Sequence, residues 1–242
     1  EYGYLTIITA LNVVDDTVTL KKSLLSELAK EITEEEIFAS VTDPSGICRK
    51  LYLYLTIPYE HMRRYFSKDE IELMTPVKGT SKKDPEMRKN EINGVLKENL
   101  ESCCIENVVQ LAKDKKGSDV LLNVLNRWWN VDLCKAITNA VESEMQNILE
   151  HPTGQVTIKR ALVLDKERKD SEKDNVLADT IWKLMKPDMK KWISINRCAF
   201  VLNALLEHPC TSKDVKQSLK ENETVLKENK ELAAVKIIMK VL

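Results

Sequence analysis

Turn-forming residues are scarce in this chain: of 242 residues, six are Gly and seven are Pro. That leaves too little turn chemistry for an all-β fold, whose short strands need frequent punctuation. Aromatic residues amount to only 5%, which argues against a platform of exposed rings for stacking single-stranded bases. Three His are present, at 61, 151 and 208, and no pair has metal-ligand spacing. The six Cys, at 48, 103, 104, 134, 198 and 210, include no CxxC pair. A secreted disulfide scaffold would be shorter and denser in Cys, so reduced thiols are expected, with adjacent Cys103 and Cys104 serving as small buried apolar groups. Neither sign of charge dominates, since 37 Lys and Arg stand against 38 Asp and Glu. A phosphate-binding surface must then come from segregating cations onto one face. No apolar run approaches the length of a bilayer span, the N-terminus has no signal-peptide pattern, and no membrane partner is expected.

Catalytic constellations are equally sparse. There is no P-loop and no Gly-rich dinucleotide fingerprint. Asp15-Asp16 reads as a helix cap rather than a reactive carboxylate pair. His151, ahead of Pro152, reads as a helix entry. His208-Pro209-Cys210 sets an imidazole near a thiol, but the sequence offers no third group to orient it. We therefore expect a protein that is not an enzyme and has no cofactor or metal.

What the chain does have is 43% apolar and 31% charged residues, the balance of a folded helical protein rather than a disordered one. It also has a returning phrase: a polar residue, two more, a Gly, then an apolar helical run. The phrase occurs at Glu1-Tyr2-Gly3, Asp43-Pro44-Ser45-Gly46, Asp114-Lys115-Lys116-Gly117 and His151-Pro152-Thr153-Gly154, with a Gly-less relative at Ser194-Ile195-Asn196-Arg197. Successive spacings are 43, 71, 37 and 43 residues. This is the signature of an α-helical repeat array with one insertion or degenerate unit, and such arrays bind extended partners more often than they catalyse. The chain starts inside a phrase without an initiating Met, so we expect a fragment, in which targeting segments can simply be missing.

Helices are expected nearly throughout: over residues 3–14, from about Val18 to Lys30, and after Gly46 as far as Pro58. Between about Arg64 and Asn90 the pattern thins into charge with Pro76, Gly79 and Pro85, which predicts a long loop or insertion. Periodicity resumes at Ile92, Val95, Leu96 and Leu100 and strengthens at Leu121, Leu125 and Trp128. The run from Asp165 through Asn175 reads as a solvated loop, and a last helix pair from about Ser212 reads as a polar terminal cap. The Tyr52, Tyr54, Tyr59, Tyr65 and Phe66 cluster, together with Trp182 and Trp192, reads as packing between helices, and one of Trp128 and Trp129 as core.

Four stretches, in order, resemble a known family: Tyr2-Gly3 through Val14-Asp15-Asp16-Thr17, Ser81-Lys82-Lys83-Asp84 with Arg88-Lys89, His151-Pro152-Thr153-Gly154, and Trp192 through Asn196-Arg197. They resemble the C-terminal half of the divergent pumilio-like proteins called Puf-A or penguin, with the segment from about Ser81 to Leu206 similar to that family's CPL region. The resemblance implies an all-α, right-handed solenoid of three-helix Puf repeats, curved or L-shaped. Puf repeats would occupy residues 1–75, the first truncated, and Puf-like repeats with the CPL region and a helical cap residues 76–242. It also implies a nucleolar, monomeric protein that binds RNA or DNA with little sequence preference, alongside pre-ribosomal proteins, in large-subunit ribosomal RNA maturation.

The residues test one part of that implication. A base-reading Puf helix presents side chains at its first, second and fifth positions after the Gly, two bonding a base edge and one stacking. Here those positions hold Tyr4, Leu5 and Ile8, then Ile47, Cys48 and Leu51, then Ser118, Asp119 and Leu122, then Gln155, Val156 and Lys159, and finally Cys198, Ala199 and Leu202. Ile8, Leu51, Leu122 and Leu202 offer no hydrogen bond to a base. A one-residue shift in the second unit gives Cys48, Arg49 and Tyr52, still not a reading set. Recognition of one base per repeat is thus not expected, and backbone contact remains. Its candidates are Arg49, Lys50, Gln155, Lys159, Arg160, Lys190, Lys191 and Arg197 in or beside repeat helices, and Lys82, Lys83, Arg88 and Lys89 in the insertion. The competing readings are a HEAT- or armadillo-like protein scaffold and a messenger RNA-binding translational regulator.

Overall fold

The computed structural model describes residues 3–14, 16–75, 84–168 and 177–242. Among them every regular element is a helix or helical turn. The first helix, α1, spans Gly3–Val13; α2 (Thr17–Thr19) runs through a π-helical stretch, Leu20–Leu25, into α3 (Ser26–Glu31). Next come α4 (Glu34–Thr42), α5 (Lys50–Thr56), a 3-10 turn at Tyr59–Arg64, α6 (Lys68–Met74) and α7 (Pro85–Glu106). Then follow α8 (Val108–Lys113), α9 (Gly117–Trp128), α10 (Val131–Leu149), α11 (Pro152–Glu167) and α12 (Leu177–Met185). A 3-10 turn at Lys186–Asp188 leads to α13 (Met189–Ser194), α14 (Asn196–Glu207), α15 (Ser212–Glu221), α16 (Glu223–Glu228) and α17 (Ala233–Val241).

These elements form two compact units. Unit 1 comprises Glu1–Asn107 and Asp119–Trp128; unit 2 comprises Val108–Ser118 and Trp129–Leu242, so the division passes through α9. In unit 1, α1 packs on α5 and α6 while α7 runs against α3 and α4, burying Ile8, Leu11, Leu53, Leu55, Ile92, Leu96 and Leu100. In unit 2, α11 packs on α8, α10, α12 and α14, and α14 also meets α13, α15 and α17. Ile158, Ala161 and Leu162 of α11 are buried there, as their helical spacing demands. The repeat boundary expected after residue 75 adjoins residues 76–83, which lie outside the described residues.

The returning phrase has a local physical basis. A side chain at its head accepts hydrogen bonds from backbone N–H groups two or three residues on, which the start of a helix would otherwise leave unpaired. Asp43 accepts from Gly46 N at 3.2 Å. Asp114 Oδ1 accepts from Lys116 N at 2.8 Å and Gly117 N at 2.6 Å. His151 Nδ1 does the same for Thr153 N at 3.2 Å and Gly154 N at 3.3 Å, capping α11 with Pro152 at its first position.

The Gly that closes the phrase serves different ends. Gly46 has φ 71°, which L side chains seldom adopt. A Cβ on Gly154 would lie 2.3 Å from the Ile148 carbonyl oxygen of α10, closer than any side chain tolerates, whereas one on Gly3 would meet nothing within 4 Å.

Three expectations need correction. The stretch from Arg64 to Asn90 is not one long loop, because it contains α6 and the start of α7. Ser67 Oγ accepts from Glu70 N at 3.2 Å while the Glu70 carboxylate accepts from Ser67 N at 2.7 Å, a capping box that starts α6 despite its weak apolar pattern. Asp165 does not belong to a solvated loop: α11 continues through it to Glu167, and its carboxylate is buried. The final pair is three helices, in which Val235 and Ile238 are buried but Ile237, Met239 and Val241 are exposed.

Candidate nucleic-acid interface

The positions at which a base-reading Puf helix would present its side chains are mostly inside the protein. Tyr4, Leu5 and Ile8 of α1, Leu51 of α5, Ser118 and Leu122 of α9, and Cys198, Ala199 and Leu202 of α14 are all buried. In the second repeat the helix also starts later than the Gly-based register assumed. The turn continues through Ile47–Arg49, with Lys50 N donating to Ile47 O at 3.0 Å, and α5 begins at Lys50. Of the five sets, only Gln155, Val156 and Lys159 lie wholly outside the core.

In unit 1 the cations expected to meet phosphate are engaged with the protein itself. Arg49 forms an ion pair of 2.9 Å with Asp119. Lys50 pairs with Glu70, which also accepts from the Tyr4 hydroxyl, and the ammonium lies 5.4 Å from the Tyr4 ring centroid and 5.8 Å from that of Phe66. Burial opposes ionisation of Glu70, but Lys50, Tyr4 and the Ser67 N–H overcome it and hold its carboxyl down to about 2. Arg88 is only 3% exposed and donates to the carbonyls of Leu11 at 3.1 Å and Val14 at 2.6 Å. Lys89, 5% exposed, donates to the Ile57 carbonyl and lies 5.3 Å from the Tyr54 ring centroid. Arg49, Lys50, Arg88 and Lys89 are thus each engaged within the protein by a partner far along the chain that the local sequence does not show. Lys82 and Lys83 lie outside the described residues.

Unit 2 presents its cations differently. Arg160 on α11, Lys190 and Lys191 on α13, and Arg197 at the start of α14 are exposed, and Lys159 is half-buried. Lys159 Nζ lies 5.7 Å from the Phe200 ring centroid on α14, so two packed helices contribute to one surface. Lys191 donates to Gln146 at 2.9 Å and lies 4.5 Å from the Trp192 ring centroid. Arg197 donates to the Glu150 carbonyl at 3.1 Å, which seats it over the end of α10. Gln155 Nε2 donates to Pro152 O at 3.4 Å. These partners are neutral, so they orient the cations without cancelling their charge.

One grouping in unit 2 was invisible in the sequence. His208 Nδ1 lies 3.0 Å from Cys210 Sγ, and its Nε2 lies 3.6 Å from Asp165, which accepts from Ala178 N at 3.0 Å. The missing third group for the His208-Pro209-Cys210 run is thus present, 43 residues upstream of His208. It does not activate the thiol: burial, together with Asp165 and Asp179, pushes Cys210 up to about 11. The thiol stays protonated at neutral pH, and the group reads as a turn lock. Among the described residues no cluster of His, Cys, Asp or Glu fits a metal ion, and no helix is long and apolar enough to cross a membrane.

A comparison with known proteins bears on this surface. The family described as CPL (NUC119) domain matches residues 44–174, more than half of the chain. The chain belongs to that family, among the Puf-A and penguin pumilio-like proteins. The match starts upstream of the expected Ser81 and ends before Leu206, so the CPL region takes in α5 and α6. Relatives of this CPL chain include Pumilio homolog 3 of Mus musculus, 27% identical over 86% of the chain, and of Homo sapiens, 26% identical over 86%. Pumilio homology domain family member 6 of Schizosaccharomyces pombe is 30% identical over 52% of it. The CPL chain spans 33% of the length of the mouse and human relatives. Its fold matches the crystal structure of human Puf-A with a TM-score of 0.81 at 24% identity, covering 100% of this chain and 48% of that one. Human Puf-A in complex with DNA matches with a TM-score of 0.80. The fold is accordingly the all-α Puf-type solenoid.

Proposed function

We propose that this chain is a non-catalytic nucleic-acid-binding module that holds the phosphate backbone with little base preference. The observation that carries this reading is the contrast within its repeats. The base-reading positions of α1, α9 and α14 are largely buried, while Lys159, Arg160, Lys190, Lys191 and Arg197 of unit 2 stay at the surface. Such contacts supply affinity and salt dependence without sequence choice. Human Puf-A is solved with DNA bound, which supports nucleic acid as the partner class.

The proposal extends to RNA, and within RNA to structured ribosomal precursor. It takes in nucleolar location, large-subunit ribosomal RNA processing beside pre-ribosomal proteins, and action as a monomer. The family resemblance supports these finer parts. Translational regulation of messenger RNA fits less well, because the reading triplets are absent. The protein-scaffold reading draws on Val156 and Val163, exposed on α11 beside Lys159 and Arg160.

Fluorescence anisotropy with two unrelated RNAs, one single-stranded and one hairpin, tests the proposal across a salt series. Equal affinities are expected, with a log–log salt slope of about −2 to −4 from three to five phosphate contacts. The variant Lys159→Glu/Arg160→Glu/Lys190→Glu/Lys191→Glu should abolish binding. No binding by the wild type would favour the protein scaffold, and strong preference for one sequence would refute backbone recognition.

A further inference from the structure

The 3-10 turn between α12 and α13 and the end of α15 border an open cavity of about 530 Å³. Three lysines line it, Lys186, Lys190 and Lys191, and opposite them stand Glu221 and Asn222, with Asp188 on the turn itself. Its volume falls in the range of small-molecule sites, about 300 to 1,000 Å³. What marks it out is the state of its charges. None of the three ammonium groups forms an ion pair among the described residues, although two carboxylates share the same cavity. Lys186 instead lies 5.9 Å from the Trp182 ring centroid, and Lys191 takes the neutral Gln146 amide. Glu221 accepts from the Gln217 amide at 3.0 Å. The Asn222 side-chain amide donates to the Ser218 carbonyl at 2.8 Å, which leaves its Oδ1 to accept.

Cations held apart from nearby carboxylates suit a ligand that carries both an anion and donors. We propose that this cavity receives one unstacked nucleotide of the bound strand. Its phosphate lies against Lys186 and Lys190, and its sugar hydroxyls or exocyclic amine donate to Glu221, Asp188 and the Asn222 oxygen. Lysine supplies point charge for phosphate without fixed geometry, and carboxylates accept from base amines and hydroxyls. This inference rests on the nucleic-acid reading above and adds a defined seat to it. It also adds Lys186, which sequence reasoning passed over, to the binding residues. One seat captures a nucleotide of any sequence that can be splayed from its neighbours, so low base preference is retained.

The test uses the 242-residue chain and a fluorescein-labelled single-stranded RNA carrying 4-thiouridine. Anisotropy over a salt series compares wild type with Lys186→Gln/Lys190→Gln and with Lys159→Glu/Arg160→Glu, each checked for an unchanged circular dichroism spectrum. Lys186→Gln/Lys190→Gln should weaken binding about fivefold and reduce the magnitude of the salt slope by about one. Photocrosslinking followed by mass spectrometry should place adducts on peptides containing residues 186–191 or 217–222. Unchanged affinity in Lys186→Gln/Lys190→Gln, or crosslinks confined to α11 and α14, would overturn the cavity while Lys159→Glu/Arg160→Glu still reports backbone binding. If the wild type binds no RNA, both the cavity and the nucleic-acid reading fall.

Discussion

Units 1 and 2 start from similar raw material and use it in opposite ways. Each carries Lys and Arg in or beside a repeat helix, and each was a candidate for phosphate. In unit 1, Arg49 meets Asp119, Lys50 meets Glu70, and Arg88 reaches the carbonyls of Leu11 and Val14. In unit 2, Arg197 meets a carbonyl, Lys191 meets an amide and the Trp192 ring, and the ammonium of Lys190 has no hydrogen-bond or ion-pair partner among the described residues. The difference lies in what the fold brings opposite each cation. A carboxylate neutralises it and a burial site removes it from solvent, whereas a neutral acceptor at the surface aims the charge outward.

The sharpest way to break that contrast is at Arg88. Replacing it with Met keeps the apolar stem but strands the buried Leu11 carbonyl and the half-buried Val14 carbonyl, and should lower stability by about 2 to 3 kcal/mol in urea unfolding. RNA affinity of the folded protein should not change. Weaker RNA binding at unchanged stability would instead move Arg88 to the interface.

Lys50 tests the same point through pH. Because Glu70 is held down to about 2 in the folded protein, its contribution to stability is complete above the ordinary carboxylate range and is lost as pH falls from about 4.5 toward 2. Lys50→Gln should lower stability at pH 7 by roughly 1 to 2 kcal/mol and flatten the acid limb, as read from thermal melts between pH 6 and 2.5. An unaltered acid limb would mean that Glu70 takes its stability from Tyr4 and Ser67 alone.

The smallest effect in free energy is expected in unit 2, where it carries the binding. Lys159→Gln and Arg197→Gln should each leave stability within about 0.5 kcal/mol and weaken RNA binding about threefold, each reducing the magnitude of the salt slope by about 0.7. Destabilisation without loss of affinity at either position would assign that side chain to packing, like its counterparts in unit 1.

The helical content and most of the core were legible in the sequence, because apolar spacing and polar helix starts are local. Ile92, Leu96 and Leu100 could be placed on one face from their intervals alone. The absence of base-reading triplets was legible too, since Ile8 and Leu202 cannot bond a base in any environment. Helix α6 was missed because its start depends on the Ser67 and Glu70 capping box rather than on apolar periodicity. That signal is local and stood in the sequence, hidden by the charge around it. The engagement of Arg49, Lys50 and Arg88 within the protein was not legible, because their partners lie 70, 20 and at least 74 residues away. The same distance concealed Asp165 from His208, and Lys186 from the end of α15.

Gly3 and Gly154 close the same phrase, yet the space around them differs completely. At Gly154 the obstacle is a backbone oxygen, which no choice of neighbouring side chain can move aside. Every larger residue meets the same wall, so a saturation library at position 154 should collapse to a single survivor while one at position 3 keeps many. Identical letters in the returning phrase thus carry unequal mutational tolerance. In a population of variants of this chain, the phrase should erode first at its beginning and persist longest at the junction of α10 and α11.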